Sequence, residues 1–218
     1  MMNNMMKALL SVILMLLFPM TGYPEDHSPA NGTTKADLYK NLEKELGTAP
    51  DGFSWNFCRN AISLKPDGWF VHDVTQNLHG PVQTTHAMSP VDFSASKPFE
   101  TGFTVGIFTN LKKYGQPEPS KSASILIGMV LNSHAREDIL HLRRDKKGEF
   151  DLFWIRYRDA PPGQTPIIVH QFYVADDVTD NLNFFIFESP EDKWDENWKK
   201  YGEVILKRVS VIPGYPND

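Results

Sequence analysis

Four short apolar runs, each ended by polar turn residues, constrain the fold of this chain more than any other feature. The runs are DILHLRR (138–144), GEFDLFWIRYRDA (148–160), TPIIVHQFYVA (165–175) and NLNFFIFES (181–189). Connections rich in Asp, Gly, Pro and Lys separate them. Short β-prone segments joined by such turns are typical of an antiparallel meander. The second half of the chain is therefore predicted to fold mainly as an antiparallel sheet.

The first half of the chain adds further predicted strands. Residues 53–75 are interpreted as strands around a Pro-Asp-Gly turn at 66–68. The strongest strand pattern covers residues 99–111, where large apolar residues alternate from Phe103 to Ile107.

Two segments before the meander have helical patterns. Residues 35–46 are predicted to form an N-terminal helix, because Leu38, Leu42 and Leu46 recur every four residues. Residues 117–133 begin with Pro and Ser and continue with many apolar residues, so they are predicted to form a mostly buried helix.

A third helix is predicted near the C-terminus, with Ser189 as its N-cap. Trp194, Trp198, Tyr201 and Ile205 then follow at spacings of four, three and four, so they form one stripe. The stripe is interpreted as the seam that packs the helix on its own sheet, and the alternative is a ligand-binding platform formed by the two tryptophans. Together with the strands, the three helices place the chain in the α+β class.

The N-terminal segment, residues 1–22, has the layout of a secretory signal peptide, with Lys7 before an apolar run over 8–19. A run of about 12 residues is too short to cross a bilayer as a helix, which takes roughly 20. We therefore expect an exported protein, periplasmic or secreted, with a polar linker at 23–33 and a single domain at 34–218.

The residues before the expected cleavage point leave one alternative open. Met20 and Gly22 form a poor small-x-small cleavage site. If the leader is not cut, it would remain as a membrane tether. A stable membrane span is expected in that case only.

Charge and cysteine content exclude some classes of function. The formal net charge is −5, which argues against a nucleic-acid-binding protein, because such proteins present a basic field to phosphates. Cys58 is the single cysteine, so the chain forms no internal disulfide. It is interpreted as a small buried residue, with a reactive thiol as the alternative.

No strong catalytic motif occurs in the sequence, and no catalytic residue or cofactor is predicted. All candidates for a metal site are weak. The strongest is the set His134, Asp138 and His141, which would share one face of a continuous helix. The same stretch is predicted to enter a strand, however, and a strand would separate the three side chains.

A cluster of basic residues is the other candidate for a functional contact. Arg143, Arg144, Lys146 and Lys147 lie together in what is interpreted as a hairpin turn. A solvated turn is the simpler interpretation, and a partner-docking tip is the alternative.

Three stretches of the chain, in this order, resemble the PsbP/Mog1-like group of small domains. They are LKPDGWFVHDV (64–74), FETGFTVGIFTNLKKYGQPEPSKSASILIGMV (99–130) and NLNFFIFESPEDKWDENWKKYGEVILKRVSV (181–211). The likeness covers about residues 53–212 and is strongest to exported bacterial members of uncharacterised function. The resemblance implies an α/β/α sandwich, an antiparallel sheet flanked by helices on both faces.

The resemblance also implies an accessory role. Relatives in the group act as adaptors: one supports the metal cluster of photosystem II, and another binds a small GTPase. No catalytic residues can be carried over to this chain, and no transit peptide rich in Ser and Arg precedes Ala8. We therefore expect an exported, non-enzymatic accessory or binding protein whose partner is another protein or a small ligand. The alternative is a metal-dependent hydrolytic enzyme that uses scattered His and Asp residues.

Overall fold

A computed structural model describes residues 44–76, 81–92, 101–160 and 163–212 of the chain. The predicted signal peptide and linker lie outside these residues. Most of the predicted N-terminal helix also lies outside them, although its last three residues, 44–46, are helical.

A seven-stranded antiparallel sheet forms the centre of the structure. Its strands are β3 (Phe70–Gln76), β4 (Val82–Ser89), β5 (Gly102–Thr109), β6 (Ile139–Lys147), β7 (Phe150–Asp159), β8 (Ile167–Asp176) and β9 (Asn181–Pro190). Their order is β3-β4-β5-β9-β8-β7-β6, so β6 to β9 form the predicted meander and β9 then pairs with β5. All ten residues of β9 are buried, because this strand lies inside the sheet between β5 and β8.

A second, smaller sheet was not predicted from the sequence. It consists of β1 (Phe53–Cys58), β2 (Ala61–Pro66) and β10 (Ser210–Val211) in the order β1-β2-β10. The hairpin turn between β1 and β2 is at Arg59 and Asn60. The predicted turn at 66–68 is present, with Gly68 at φ +76°, but it leads from the small sheet into the large one.

Successive residues of a strand point to opposite faces of the sheet, and each face carries its own apolar core. On one face, Ile155, Phe184 and Ile186 pack with Ala123 and Ile127 of helix α1 (Pro119–Ser133). We call this side the α1 face.

The other face of the sheet, which we call the second face, carries the second core. Phe185 and Phe187 pack there with Leu64 of the small sheet and with Trp194 and Ile205 of the C-terminal helical segment. The small sheet therefore takes the place of part of the helical layer expected on this face. The structure consists mostly of antiparallel strands in two sheets, with few helices.

Helix α1 is less buried than the sequence suggested. Only Pro119, Ala123 and Ile127 are buried, whereas Ile125 is exposed. Asp177, in the turn before β9, accepts hydrogen bonds from the Ser120 backbone N–H at 2.8 Å and from its hydroxyl at 2.6 Å. This carboxylate therefore stabilises the N-terminus of the helix.

The C-terminal helical segment begins later than predicted. Ser189 does not cap it, because β9 continues to Pro190 and a 3-10 turn, Glu191–Lys193, follows. The segment then consists of α2 (Trp194–Asn197), a π-helical turn (Trp198–Gly202) and α3 (Glu203–Leu206).

Two further features concern the core and the membrane. Cys58 is fully buried, with its Sγ 3.8 Å from the Thr84 carbonyl oxygen, as expected for a small packed residue. Within the residues that the structure describes, no helix has the length and apolar character needed to span a membrane.

Candidate functional site: a cation–aromatic face

Part of the second face, over strands β6 to β8, combines basic and aromatic side chains that are only partly covered. We call it the cation–aromatic face, and it consists of His141, Arg143, Trp154, Arg156, Phe172 and Trp198. The strand register sets these residues in two rows. One row contains Arg143, Trp154 and Phe172, and the other contains His141, Arg156 and the buried His170.

Arg156 lies at the centre of this face. Its guanidinium carbon is 4.1 Å from the ring centroid of Trp198 and 5.0 Å from that of Trp194. Such contacts stabilise a cation through the negative face of the ring. Burial lowers the pKa of Arg156, and Asp195 partly opposes that effect. None of the ion pairs among the described residues includes Arg156.

His170 orients the Arg156 side chain through a hydrogen bond. The Nε of Arg156 donates a hydrogen bond to Nδ1 of His170 at 3.3 Å, and the imidazole meets the Trp198 ring edge-on at 4.9 Å. Burial, with the nearby charges of Arg156 and His141, lowers the pKa of His170 to about 3. The imidazole is therefore neutral at physiological pH and can act as the acceptor that orients the guanidinium.

The second row forms a ladder of stacked rings. Trp154 and Phe172 are parallel within 10°, with centroids 4.8 Å apart, and Phe172 continues the stack to Phe185 at 5.7 Å. Arg143 covers the outer end, 5.2 Å from the Trp154 centroid, and pairs with Asp145 at 2.6 Å. This ladder offers an apolar surface beside the Arg156 charge, so the face can contact an anionic and an apolar group together.

The basic residues predicted to form a hairpin turn lie on strand β6, not in the turn. Strand alternation places Arg143 and Lys147 on the second face, and Arg144 and Lys146 on the α1 face. The structure therefore divides the predicted basic tip between the two faces.

Asp151 is the acidic neighbour of the two basic residues on the α1 face. Arg144 pairs with its carboxylate at 3.0 Å and Lys146 at 3.8 Å.

The predicted metal set is not brought together. His134 ends helix α1, where its ring packs on Tyr157 of the α1 face at 4.5 Å, whereas His141 pairs in register with Arg156 on the second face. Asp138 instead lies 3.7 Å from Arg158. The part of the chain that the structure describes contains no group of three His, Cys, Asp or Glu residues able to hold a metal ion.

A second titratable cluster lies on the α1 face, near the C-terminus of α1. Glu188 is 8% exposed, and burial together with the nearby Asp159 raises its pKa to about 8. His134 lies 3.9 Å from the same Asp159 carboxylate. The carboxyl of Glu188 is therefore largely protonated at neutral pH.

The two tryptophans of the predicted stripe have different environments. Trp194 is 6% exposed and packs on Phe187 at 5.7 Å, as the packing interpretation predicts. Trp198 stacks on Trp194 at 5.1 Å but is only half-buried, and the Arg156 guanidinium lies against both rings, closer to that of Trp198. Arg156 was not predicted from the sequence, where its one signal is a basic residue inside the apolar run FWIRYR.

No family model matches the sequence, and no curated protein matches it significantly.

Two solved structures are similar to the chain. The solution structure of cyanobacterial PsbP (CyanoP) from Synechocystis sp. PCC 6803 has 14% sequence identity and a TM-score of 0.48, over 77% of this chain and 99% of that chain. A crystal structure from Bacteroides thetaiotaomicron VPI-5482 has 12% identity and a TM-score of 0.40, over 73% of this chain and 47% of that chain. The first of these structures belongs to the group that the sequence resembles.

Proposed function

We propose that this chain is an exported, non-enzymatic accessory or binding protein of the PsbP/Mog1-like type. In this proposal a leader at 1–22 directs export to the periplasm or the medium, and a single α/β/α-type domain at 34–218 carries the function. N-terminal sequencing of the mature protein tests the leader, because a start near residue 23 requires cleavage.

We further propose that the cation–aromatic face binds an acidic segment of a partner protein. The observation that carries this proposal is the Arg156 guanidinium, which is half-buried against the rings of Trp194 and Trp198 and forms no ion pair with a described carboxylate. A guanidinium stays charged at all physiological pH values and binds carboxylates through paired N–H donors. The guanidinium has already lost part of its hydration shell in the folded protein. Binding a carboxylate therefore costs little further desolvation, and the contact is strong.

The basic cluster on β6 supports the same class of partner. Arg143 borders the aromatic ladder, and Lys147 is further along the same face of the strand. The chain as a whole is acidic, so this basic region is a local exception that would orient an acidic partner during encounter.

The test uses poly-L-glutamate as a model acidic ligand and tryptophan fluorescence as the readout. The variant Arg156→Met keeps an unbranched apolar side chain over Trp198 and removes the charge. Truncating one partner of a close charge pair costs roughly 2 kcal/mol or more, so affinity should fall about 30-fold. Lys121→Met is the matched control, because Lys121 is an exposed residue of α1.

Two results bear on the proposal. Saturable, salt-sensitive binding that is lost in Arg156→Met and kept in Lys121→Met would support it. Equal affinity of the Arg156→Met variant and the unmodified protein would refute the role of this face. Urea unfolding of both variants checks that the fold is retained.

A further inference from the structure

We infer that strand β6 is a site of strand addition, where an extended acidic segment of the partner pairs with its free edge. This inference rests on the proposed function, because the added segment would belong to the partner that binds the adjoining cation–aromatic face. It specifies how the partner binds, which the proposed function leaves open.

Among the residues that the structure describes, nothing pairs with the outer edge of strand β6. It pairs with β7 only, and no other described strand lies beside it. The side chains from Leu140 to Lys147 are all exposed. In an edge strand, every second backbone N–H and C=O points away from the sheet, so these groups are free to pair with another chain.

The charges on this edge determine what kind of strand can pair with β6. Lys and Arg on an edge normally prevent pairing with apolar or basic strands. Here Arg143 and Lys147 project on one face, with Asp145 between them, and Arg144 and Lys146 project on the other. Basic side chains therefore outnumber acidic ones by four to one over residues 143–147. An added strand with acidic residues at successive positions would meet a basic side chain on both faces, and opposite charges across a strand pair are stabilising.

The other half of β6 favours a different side chain. Leu140 is 49% exposed and Leu142 is 51% exposed, and they are among the most exposed large apolar residues of the described chain. In an antiparallel arrangement, the N-terminal part of the added segment would face residues 143–147, and its C-terminal part would face the two leucines. A segment that fits this edge therefore has acidic residues in its N-terminal half and apolar residues in its C-terminal half.

The opposite edge of the sheet does not have this pattern. Strand β3 exposes Phe70 and Val71, but its charged residue Asp73 is acidic and lies near His86, at 3.7 Å. An acidic segment would be repelled there. The inference is therefore specific to β6.

The experiment measures binding of three labelled peptides to the full protein by fluorescence anisotropy. The first peptide has a Glu-rich N-terminal half and a Val- and Thr-rich C-terminal half. The second has the same side chains but N-methyl groups at alternate backbone nitrogens, which remove the pairing donors. The third has Lys in place of Glu. We expect the N-methylated and the Lys peptides to bind about tenfold more weakly than the first, because each loses several edge contacts.

Variants of the protein provide the second arm. Lys147→Glu places a like charge opposite the acidic half of the peptide, so it should weaken binding, whereas Lys121→Glu on α1 should leave it unchanged. Amide exchange followed by NMR supplies a direct signature. Strand addition should protect alternate amides of β6 and leave those between them unchanged, since the latter already pair with β7.

The outcomes separate this inference from the proposed function. If the N-methylated peptide binds as tightly as the first, or if no alternate protection appears in β6, strand addition is refuted. If the first peptide fails to bind but poly-L-glutamate still requires Arg156, strand addition is also refuted and the proposed function stands. If neither ligand binds, both are refuted.

Discussion

Replacing Gly202 with alanine should destabilise the protein, although alanine is the better helix former. Gly202 ends the π-helical turn, where a Cβ would lie 2.6 Å from Cε3 of Trp198 and 2.9 Å from Cδ1 of Phe187. Phe187 is fully buried in the core of the second face, and Trp198 packs against that core, so the Phe187 ring in particular is not free to move away. Overpacking of this kind costs roughly 1–3 kcal/mol, against a gain of about 1 kcal/mol in helix propensity.

The matched control is Gly128→Ala in helix α1. A Cβ at this position would meet no atom within 4 Å, so only the propensity gain remains. Urea unfolding should therefore show Gly128→Ala as more stable than the unmodified protein by up to about 1 kcal/mol. The two variants should differ by roughly 1–3 kcal/mol, which is the overpacking cost alone. Equal stability of the two variants would refute the close approach of helix and strand at Gly202.

Three further perturbations test other parts of the structure. Trp194→Ala should lower the free energy of unfolding in urea by roughly 3–5 kcal/mol, as large aromatic truncations in cores do. Trp198→Ala should cost less, because that ring is half-exposed. The reverse order would contradict the packing described. Burial raises the pKa of Glu188 to about 8 in the folded protein. The folded state therefore keeps a proton that the unfolded state releases above pH 4.5. As a result, the free energy of unfolding should fall as pH rises from about 5 to 8. Glu188→Gln should remove most of that fall, on the order of a few kcal/mol, and an unchanged pH profile would show that Glu188 is not buried as described. Asp177→Ala should cost about 1 kcal/mol by removing the cap of α1, whereas Asp192→Ala, on an exposed residue, should cost little in the same assay.

The meander could be predicted from the sequence because its signals are local. The predicted runs at 148–160 and 181–189 correspond to β7 (Phe150–Asp159) and β9 (Asn181–Pro190). Alternation of side chains and the composition of the turns are sufficient to place such strands. The small sheet could not be predicted in this way. Its third strand, β10, pairs with residues about 150 positions earlier, at Ala61 and Ile62, and no local pattern encodes such a pairing.

The boundary of the C-terminal helix shows how tertiary contacts override a local signal. Ser189 followed by Pro190 has the features of a helix start. In the structure, Ser189 is buried in β9, and its hydroxyl oxygen accepts a hydrogen bond from Asn197 at 2.9 Å. The serine thus contacts the helix through a side chain two turns later. Ser189 therefore does contact the helix, but as an acceptor for Asn197 and not as the predicted N-cap.

Arg156 was missed for a related reason. A basic residue in an alternating strand is ordinarily expected to be solvated, and only the packing of Trp194 and Trp198 over β7 changes that expectation. Those two rings are separated from Arg156 by about 40 residues of sequence. The sequence stripe therefore predicted that the helix packs on its sheet, but not which cation it covers.

Two arginines of strand β7 have different environments, and the difference supports the proposed binding role of Arg156. Arg158 lies two residues further along β7, and its Nε donates to both carboxylate oxygens of Glu191 at 2.9 Å. That hydrogen bond, together with nearby carboxylate charge, raises the pKa of Arg158, whereas burial lowers that of Arg156. Arg158 is thus paired with a carboxylate of its own chain. Arg156 instead contacts two aromatic rings and a neutral imidazole. Because an unpaired charge is costly to bury, this difference agrees with the proposal that a partner supplies the carboxylate for Arg156. Arg158→Met should accordingly leave the affinity for poly-L-glutamate unchanged, and a loss equal to that of Arg156→Met would show that general positive charge, not this site, attracts the ligand.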